Sequence, residues 1–380
     1  MILEEFSLSD VTINFDRRRK PVKSAERSAG PYPYYGASGV VDHVANYLFD
    51  GQYLLVAEDG ENLRTRKTPV AFIATGKFWA NNHAHVLQGN DLANTYYLAY
   101  AIERLDISGY LTGSTQPKLT QASLNSIRVS LPQRHEQDAI VAVLRALDDK
   151  IAVNDRIAEC SLALADAHFS RAVEGVPTGP ETFGSLAQVG GGGTPSTKVP
   201  EYWDGNIAWA TPSDVTALGA PYLFGTSRRI TDAGLDNCAS VLYPAGSIFM
   251  TSRATIGAFA FPRVPTAVNQ GFIVVVAPDE ELAMWLFHEM RDRVDEMRSL
   301  ANGSTFLELS RKNFKAMGVR LPTPAVRKEF AGKAIPLHQR AAAATAENAT
   351  LTKLRDTLLP ELMSGRLRVR DAEKVVEEAV

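Results

Sequence analysis

Side chains that can exchange hydrogen bonds with the edges of nucleic-acid bases are concentrated on two turn-rich stretches of this chain. Arg suits guanine, Asn and Gln suit adenine, and Ser or Thr suit either. The first stretch offers Tyr34, Tyr35, Ser38, Lys77, Asn81 and Asn82, followed by Ser114, Thr115, Gln116 and Lys118. The second offers Thr194, Ser196, Lys198, Thr211, Ser213, Arg228, Arg229, Arg253, Thr255, Asn269 and Gln270, with Ser304 and Thr305. Taken singly, each can as well be a turn or cap residue. Their concentration in two equivalent places makes the group a candidate for direct readout of a duplex.

Other chemistry is conspicuous for its incompleteness. His83 and His85 share a face if their stretch is a strand, but two imidazoles without a nearby Cys or acidic pair make an incomplete metal site. Histidines satisfied by hydrogen bonds are the better reading. Gly190-Gly191-Gly192-Gly193-Thr194 lacks the Gly-Lys-Ser/Thr ending of a phosphate-binding loop and reads as a flexible turn. Pro278-Asp279-Glu280-Glu281 has no following Lys in nuclease spacing, and neither Asn-Pro-Pro-Tyr nor Asp-Pro-Pro-Tyr occurs. No catalytic and no metal-binding residues are expected, which favours binding as the function.

The candidates are positioned by a chain that is written twice. Gly113-Ser114-Thr115 recurs as Gly303-Ser304-Thr305, Leu119 as Leu309, Leu131-Pro132 as Leu321-Pro322 and Gly175 as Gly365, each displaced by the same 190 residues. A tandem pair can imitate a symmetric dimer, which suits a target that is itself two-fold, such as duplex DNA. In each copy short apolar runs come first, such as Tyr53 to Ala57 and Val70 to Ala74, or Ser247 to Met250 and Phe272 to Val276. These are strand and turn signals, with helical insertions at Leu92 to Leu105 and Glu280 to Arg298.

After each Leu-Pro pair the period becomes helical. Ile140, Leu144, Leu147, Ile151, Asn154, Ala158, Leu162, Ala165 and Phe169 recur at steps of three and four. The second copy gives Phe330, Ala334, Leu337, Ala341, Ala344, Asn348, Leu351, Leu354, Leu358 and Leu362. Gly175 and Gly365 are plausible stops. A helix of about 40 residues extends roughly 60 Å and cannot bury its stripe alone, so the two are expected to pack antiparallel. Asn154 and Asn348 either fix the register of that seam or face water. Pro336 stands where the first copy has Ala146 and is expected to kink or interrupt the second helix near its start.

Composition fits a soluble, cytoplasmic protein. Apolar residues make up 45% and charged residues 22%, enough for a sizeable core in two domains or more. Met1 to Asp10 has no basic stretch leading an apolar one, so no signal peptide is expected, and no apolar run approaches the ~18 residues of a membrane span. Cys160 and Cys238 suggest neither a metal site nor structural disulfides. A net charge of −3 argues against a protein that grips nucleic acid unaided, because phosphate neutralisation needs clustered cations. Local basic groups exist at Arg17-Arg18-Arg19-Lys20, at Arg228-Arg229 and at Arg311-Lys312 with Lys315, though each can be a solvated surface. A large basic partner can supply the rest of the attraction.

With these features in place, the tandem arrangement resembles the DNA-specificity (S) subunit of type I restriction-modification systems over nearly the whole chain. The first copy carries the resemblance in YPYYGASG at 32 to 39, YLFDGQYLLVAEDG at 47 to 60, NNHAHVL at 81 to 87, TGSTQPKLTQ at 112 to 121 and LPQRHEQDAIVAVLRALDDKI at 131 to 151. The second carries it in GGGTPSTKVPEYWDGNIAWATPSDV at 191 to 215, NGSTFLELS at 302 to 310 and LTKLRDTLLPELMSGRLRV at 351 to 369. The second copy departs where Ala325-Val326-Arg327 replaces His135-Glu136-Gln137 and so lacks the Glu-Gln dipeptide usual in the family.

The resemblance implies an α+β fold: two β-rich target-recognition domains separated by two long antiparallel helices that form a coiled-coil spacer, with pseudo-two-fold symmetry. The expected divisions are recognition domains at 1–130 and 177–321, a central spacer helix at 131–176, and a C-terminal spacer helix and tail at 322–380. It implies a non-catalytic subunit that reads an asymmetric, bipartite DNA target, with the spacer setting the gap between half-sites. Two methyltransferase subunits and a restriction/translocase subunit are the implied partners. S-adenosylmethionine, ATP and Mg are expected on those partners and no cofactor in this chain. The rival reading is a two-module coiled-coil scaffold that binds no DNA, and an enzyme with an unrecognised site is more distant.

Overall fold

The computed structural model describes residues 1–113, 115–302 and 307–379, so the candidates Ser114, Ser304 and Thr305 lie outside the described residues. The chain is mixed α/β, with two β-rich regions and a long helix between them in sequence. It divides into two compact units, one of Met1–Asp148 with Lys353–Val380 and one of Asp149–Thr352. Among the described residues no helix is long and apolar enough to cross a membrane.

In the first unit the strands are β1 (Glu4–Ser7), β2 (Thr12–Asn14), β3 (Tyr32–Gly36), β4 (Gly39–Val44), β5 (Phe49–Ala57), β6 (Ala71–Ala80), β7 (Ala84–Gly89) and β8 (Arg128–Leu131). Six of them form one sheet in the order β2-β7-β5-β6-β3-β4, and β1 pairs with β8. Strand β5 is hydrogen-bonded on both sides and buried from Tyr53 to Ala57, which is why its sequence is an unbroken apolar run rather than an alternating one. Phe49, Tyr53 and Phe78 stack on it with ring centroids 5.1 to 5.7 Å apart. Helix α1 (Thr95–Arg104) begins where the Asn94 side chain accepts from the Tyr96 N–H, and it packs on β5 and β6. Because β3 runs parallel to β6, with Tyr35 opposite Ala80, both strands end at one edge.

A long helix, α2 (Arg134–Val173), leads into the second β-rich region. Its strands are β9 (Thr178–Thr182), β10 (Gln188–Gly190), β11 (Trp203–Ala210), β12 (Tyr222–Leu223), β13 (Arg228–Ile230), β14 (Ile248–Thr251), β15 (Phe259–Pro262), β16 (Thr266–Val268), β17 (Phe272–Val276) and β18 (Gly318–Arg320). One sheet runs β10-β17-β14-β15-β12 and a second β13-β11-β16, while β9 pairs with β18. Helix α3 (Glu280–Asp292) is capped by Asp279 and buries Leu282, Trp285, Leu286 and Met290. A second long helix, α4 (Pro324–Ser364), follows.

The glycine run is not the flexible turn its sequence suggests. A Cβ on Gly192 would stand 1.8 Å from the Val268 carbonyl oxygen, and one on Gly193 would stand 2.7 Å from the Ala239 nitrogen. The run is close-packed, and glycine is there because two backbones nearly touch.

Helices α2 and α4 stop at Gly175 and Gly365, whose φ values of 71° and 74° only glycine adopts freely. Within the second unit their segments run antiparallel: the Phe169 ring lies 5.7 Å from Phe330, and the Asn154 amide donates to Glu347 Oε2 at 2.8 Å. Asn348 donates to the Ile151 carbonyl and to Asp155 Oδ1 at 3.1 and 2.8 Å. Both asparagines are buried and cross the seam, so the register reading holds and the water-facing one does not. Of the two expectations for Pro336, a kink or an interruption, the second does not occur: helix α4 runs through it. Pro336 and Gly332, whose carbonyl loses its donor, are both exposed, while Ala334 and His338 are buried and hold the helix in place.

The start of each long helix is tied down by different chemistry at the same repeat position. In the first copy Gln137 is fully buried; its Oε1 accepts from the Asn94 N–H and its Nε2 donates to the Leu92 and Pro132 carbonyls. In the second, Arg327 makes an ion pair with Glu281 at 2.8 Å.

A similar substitution occurs deeper in each unit, where Asp148 of the first copy corresponds to His338 of the second. Asp148 accepts from the Tyr100 hydroxyl and pairs with Arg355 at 2.9 Å. His338 belongs to a hydrogen-bonded chain: the Tyr222 hydroxyl lies 3.0 Å from His338 Nδ1, His338 Nε2 lies 3.0 Å from His288 Nε2, and His288 Nδ1 lies 2.8 Å from Asp166. Arg291 faces the far oxygen of Asp166 at 3.2 Å. With both imidazoles neutral, the form that their burial favours, every contact is satisfied when Tyr222 donates to His338, His338 to His288 and His288 to Asp166.

Burial above all, then the charges of His288 and Arg291, push His338 from 6.5 down to about 3; burial also lowers His288 against the pull of Asp166. A histidine whose folded value is depressed stabilises the fold above the unfolded value of 6.5 and loses that contribution as pH falls toward the folded value. Thermal unfolding measured from pH 7 to 4.5 should therefore show a steep loss of Tm. His338→Gln, which can still accept from Tyr222 and donate to His288, should make that loss shallower.

Candidate nucleic-acid interface

The first unit gathers three loops by backbone hydrogen bonds. The Glu58 N–H donates to the His83 carbonyl, the Gly60 N–H to the Pro117 carbonyl, and the Leu119 N–H to the Glu58 carbonyl. Asp59 and Thr112 each bridge to Lys118. Of the candidates, Asn82, Thr115, Gln116 and Lys118 are exposed in this cluster, and Asn81, with its Oδ1 accepting from the His83 N–H, braces it. Ser38 is exposed on the turn between β3 and β4. Lys77 is exposed but lies over the Tyr47 ring at 4.8 Å. Tyr34 and Tyr35 are inside: Tyr34 is 1% exposed with its hydroxyl accepting from the Val22 N–H, and Tyr35 stacks on Phe72.

A buried polar network supports these loops. His85 Nδ1 lies 2.6 Å from Asp16, and its Nε2 donates to the Leu119 carbonyl at 2.8 Å. Arg19 pairs with Glu58 at 2.6 Å, and Lys118 reaches Glu58 at 3.2 Å. Burial opposes ionisation of Asp16, but hydrogen bonds from His85 and the Val86 N–H, together with Arg19, outweigh it and hold its carboxyl below the ordinary value. His85 is thus a satisfied structural histidine, and Arg19 has turned from the basic run into the fold. His83 sits at the surface, 2.7 Å from Asp59.

The second unit builds its cluster the same way. Strand β11 is parallel to β16 with Ala210 opposite Val268, and β14 meets β17 with Thr251 opposite Phe272, so the loops after β11, β14 and β16 leave at one edge. The Asn269 N–H donates to the Ala210 carbonyl, Ser252 to Gly271, Leu309 to Ser252 and Ala254 to Leu307. Thr194 donates to Gln270 Oε1 at 2.7 Å, the Asn269 side chain accepts from the Gly271 N–H, and Thr211 makes a capping box with Asp214. Arg253 and Asn302 each bridge to Glu308, and the Arg253 side chain pairs with Glu308 at 2.8 Å. Ser196, Lys198, Ser213, Arg228, Arg229 and Thr255 are exposed.

Glu308 holds the place of Lys118 in the repeat, and the two positions make ion pairs of opposite sense. Reasoning from donors and acceptors passed over the residues that fix these loops: Asp16, Glu58, Asp59, Glu308 and the two tryptophans Trp203 and Trp209. The one available signal was the opposite charge at positions 118 and 308.

Two β-rich regions on one plan, each presenting polar and basic loops at the ends of its strands, define a duplicated binding protein. The family model for the type I restriction modification DNA specificity domain matches residues 3–159 and 180–331, and the chain belongs to that family. It is 38% identical over 140 residues to the Haemophilus influenzae protein named as type I restriction enzyme specificity subunit S.HindORF215P, covering 37% of this chain and 36% of that one. Over 148 residues it is 33% identical to the type I restriction enzyme MjaIX specificity subunit of Methanocaldococcus jannaschii, covering 38% and 34%. The aligned part therefore spans about a third of the length of these curated relatives. The crystal structure of the S subunit of a type I restriction-modification system from M. genitalium shares the fold, with a TM-score of 0.66 and 14% identity over 95% of this chain and 96% of that one.

The two kinds of ion pair should differ sharply in worth. Asp16→Asn leaves His85 and Arg19 short of a buried partner and should cost about 3 kcal/mol in urea unfolding. Glu308→Gln opens a half-exposed pair and should cost under about 1 kcal/mol in the same measurement.

Proposed function

We propose that this chain is the recognition subunit of a type I restriction-modification complex, reading a bipartite DNA sequence with one loop cluster for each half. The observation that carries this is the repetition of one loop plan with different side chains: Asn82, Thr115, Gln116 and Lys118 in one cluster, Ser196, Arg228, Asn269 and Gln270 in the other. Equal scaffolds with unequal donors and acceptors read unequal sequences, so the target is asymmetric. The chain itself is non-catalytic in this reading and works in the cytoplasm. It directs adenine methylation and restriction by two methyltransferase subunits and a restriction/translocase subunit, and those partners hold S-adenosylmethionine, ATP and Mg.

Net negative charge fits this division of labour, since much of the phosphate neutralisation then falls to the partners. With its methyltransferase, the chain should bind one bipartite duplex in a strongly salt-dependent way. Mapping methylated adenines in the source genome with and without the chain should reveal that duplex. Replacing residues 185–320 by the corresponding part of another family member should change one half-site and leave the other intact. A change in both halves would refute the division into two readers.

A further inference from the structure

Three of the six basic candidates are already spoken for. Lys118 is paired with Glu58 and Arg253 with Glu308, and Lys77 covers the Tyr47 ring. Arg228 is different. Its guanidinium carbon lies 3.5 Å from the centre of the Trp203 ring and 5.8 Å from that of Trp209, the side chain is exposed, and no carboxylate among the described residues forms an ion pair with it. Asp214, which accepts from the N–H of the adjacent Ser227, is committed as well to the Thr211 N–H and hydroxyl.

The platform under Arg228 is rigid. Trp203 and Trp209 meet edge to face at 5.2 Å, and their indole N–H groups donate to the carbonyls of Ser196 and Gly193, both at 3.1 Å. Arg228 itself stands opposite Trp209 on the edge strand β13. Its neighbour Arg229 faces the other way, because side chains alternate along a strand. A guanidinium stacked by its face on an indole keeps its in-plane N–H fork free and fixed before any ligand arrives. The first unit holds a comparable stack, Arg27 over Tyr34 at 4.3 Å, but there Asp42 already pairs with the fork at 2.9 Å and the Val22 carbonyl accepts from Nε.

Resting on the function proposed above, we propose that Arg228 is a specificity-determining residue: supported by Trp203, it reads one guanine in the major groove and makes a single G·C pair obligatory in the half-site of the second unit. A fixed planar fork matches the O6 and N7 acceptors of guanine, whereas a phosphate needs only a point charge.

The test uses the full chain assembled with its methyltransferase and a panel of duplexes carrying every single-base change in the wild-type target. Arg228→Ala should lose about ten- to a hundred-fold in affinity for the target and become indifferent to the base at one position, with the other half-site untouched. Arg228→Lys, which keeps the charge without the fork, should also become indifferent at that position. The inference fails if Arg228→Ala weakens all duplexes alike and lowers the salt slope by about one, which marks a phosphate contact. It fails too if the variant keeps the wild-type preference at every position. Both failures leave a bipartite preference in the wild type, and so leave the proposed function standing. Absence of that preference in the wild type would overturn the two together.

Discussion

Alanine-rich helix seams can slide, because small side chains leave shallow knobs and holes, and the second unit depends on one that does not. Ala158 and Ala165 of α2 face a stripe containing Ala334 and Ala341 of α4, all buried. Asn154 and Asn348 stop the slide: each finds its partners on the opposite helix at one register only, and a shift of one turn would leave two amides buried and unpaired. Everything downstream inherits that register. Phe169 meets Trp285 and Phe330, Asp166 meets His288, and through His338 and Tyr222 the seam is joined to the strands that carry the loops.

The two copies keep geometry and replace chemistry. An aspartate that pairs with an arginine in one becomes a neutral histidine in the other; a buried glutamine becomes an arginine on a glutamate; a lysine paired with a glutamate becomes a glutamate paired with an arginine. Each exchange preserves a satisfied contact while changing both partners. That is how coupled positions drift: a change on one side leaves a buried group unpaired until the other side follows.

Much of this plan was legible in the sequence, for physical reasons that can be named. The three-and-four period reports a helix stripe wherever it falls, and a polar residue inside such a stripe stands out, which is why Asn154 and Asn348 could be picked out, although choosing between register and a water-facing role took the structure. Central strands such as β5 and β17 announce themselves as unbroken apolar runs. What stayed hidden depends on contacts between distant residues. Nothing local to the Gly190–Gly193 run tells of the Val268 carbonyl pressed against Gly192. Pro336, by contrast, lies off the stripe of Phe330, Ala334, Leu337 and Ala341 together with Gly332, so its exposure was legible in the helical period. A list of donors and acceptors also cannot separate Tyr34, enclosed beneath Arg27, from Arg228, displayed on Trp203.

The reversed ion pairs at positions 118 and 308 bear on how such a chain can be reshuffled. A crossover that joined the loop around Glu58 in the first copy to the segment around Glu308 in the second would set Glu58 and Asp59 against Glu308, and the reciprocal product would set Arg253 against Lys118. Each product trades a half-exposed attraction for a repulsion of similar size, under about 1 kcal/mol. Breakpoints that keep each loop with its own partner segment are favoured by that small margin, so the seams between halves carry a mild electrostatic bias.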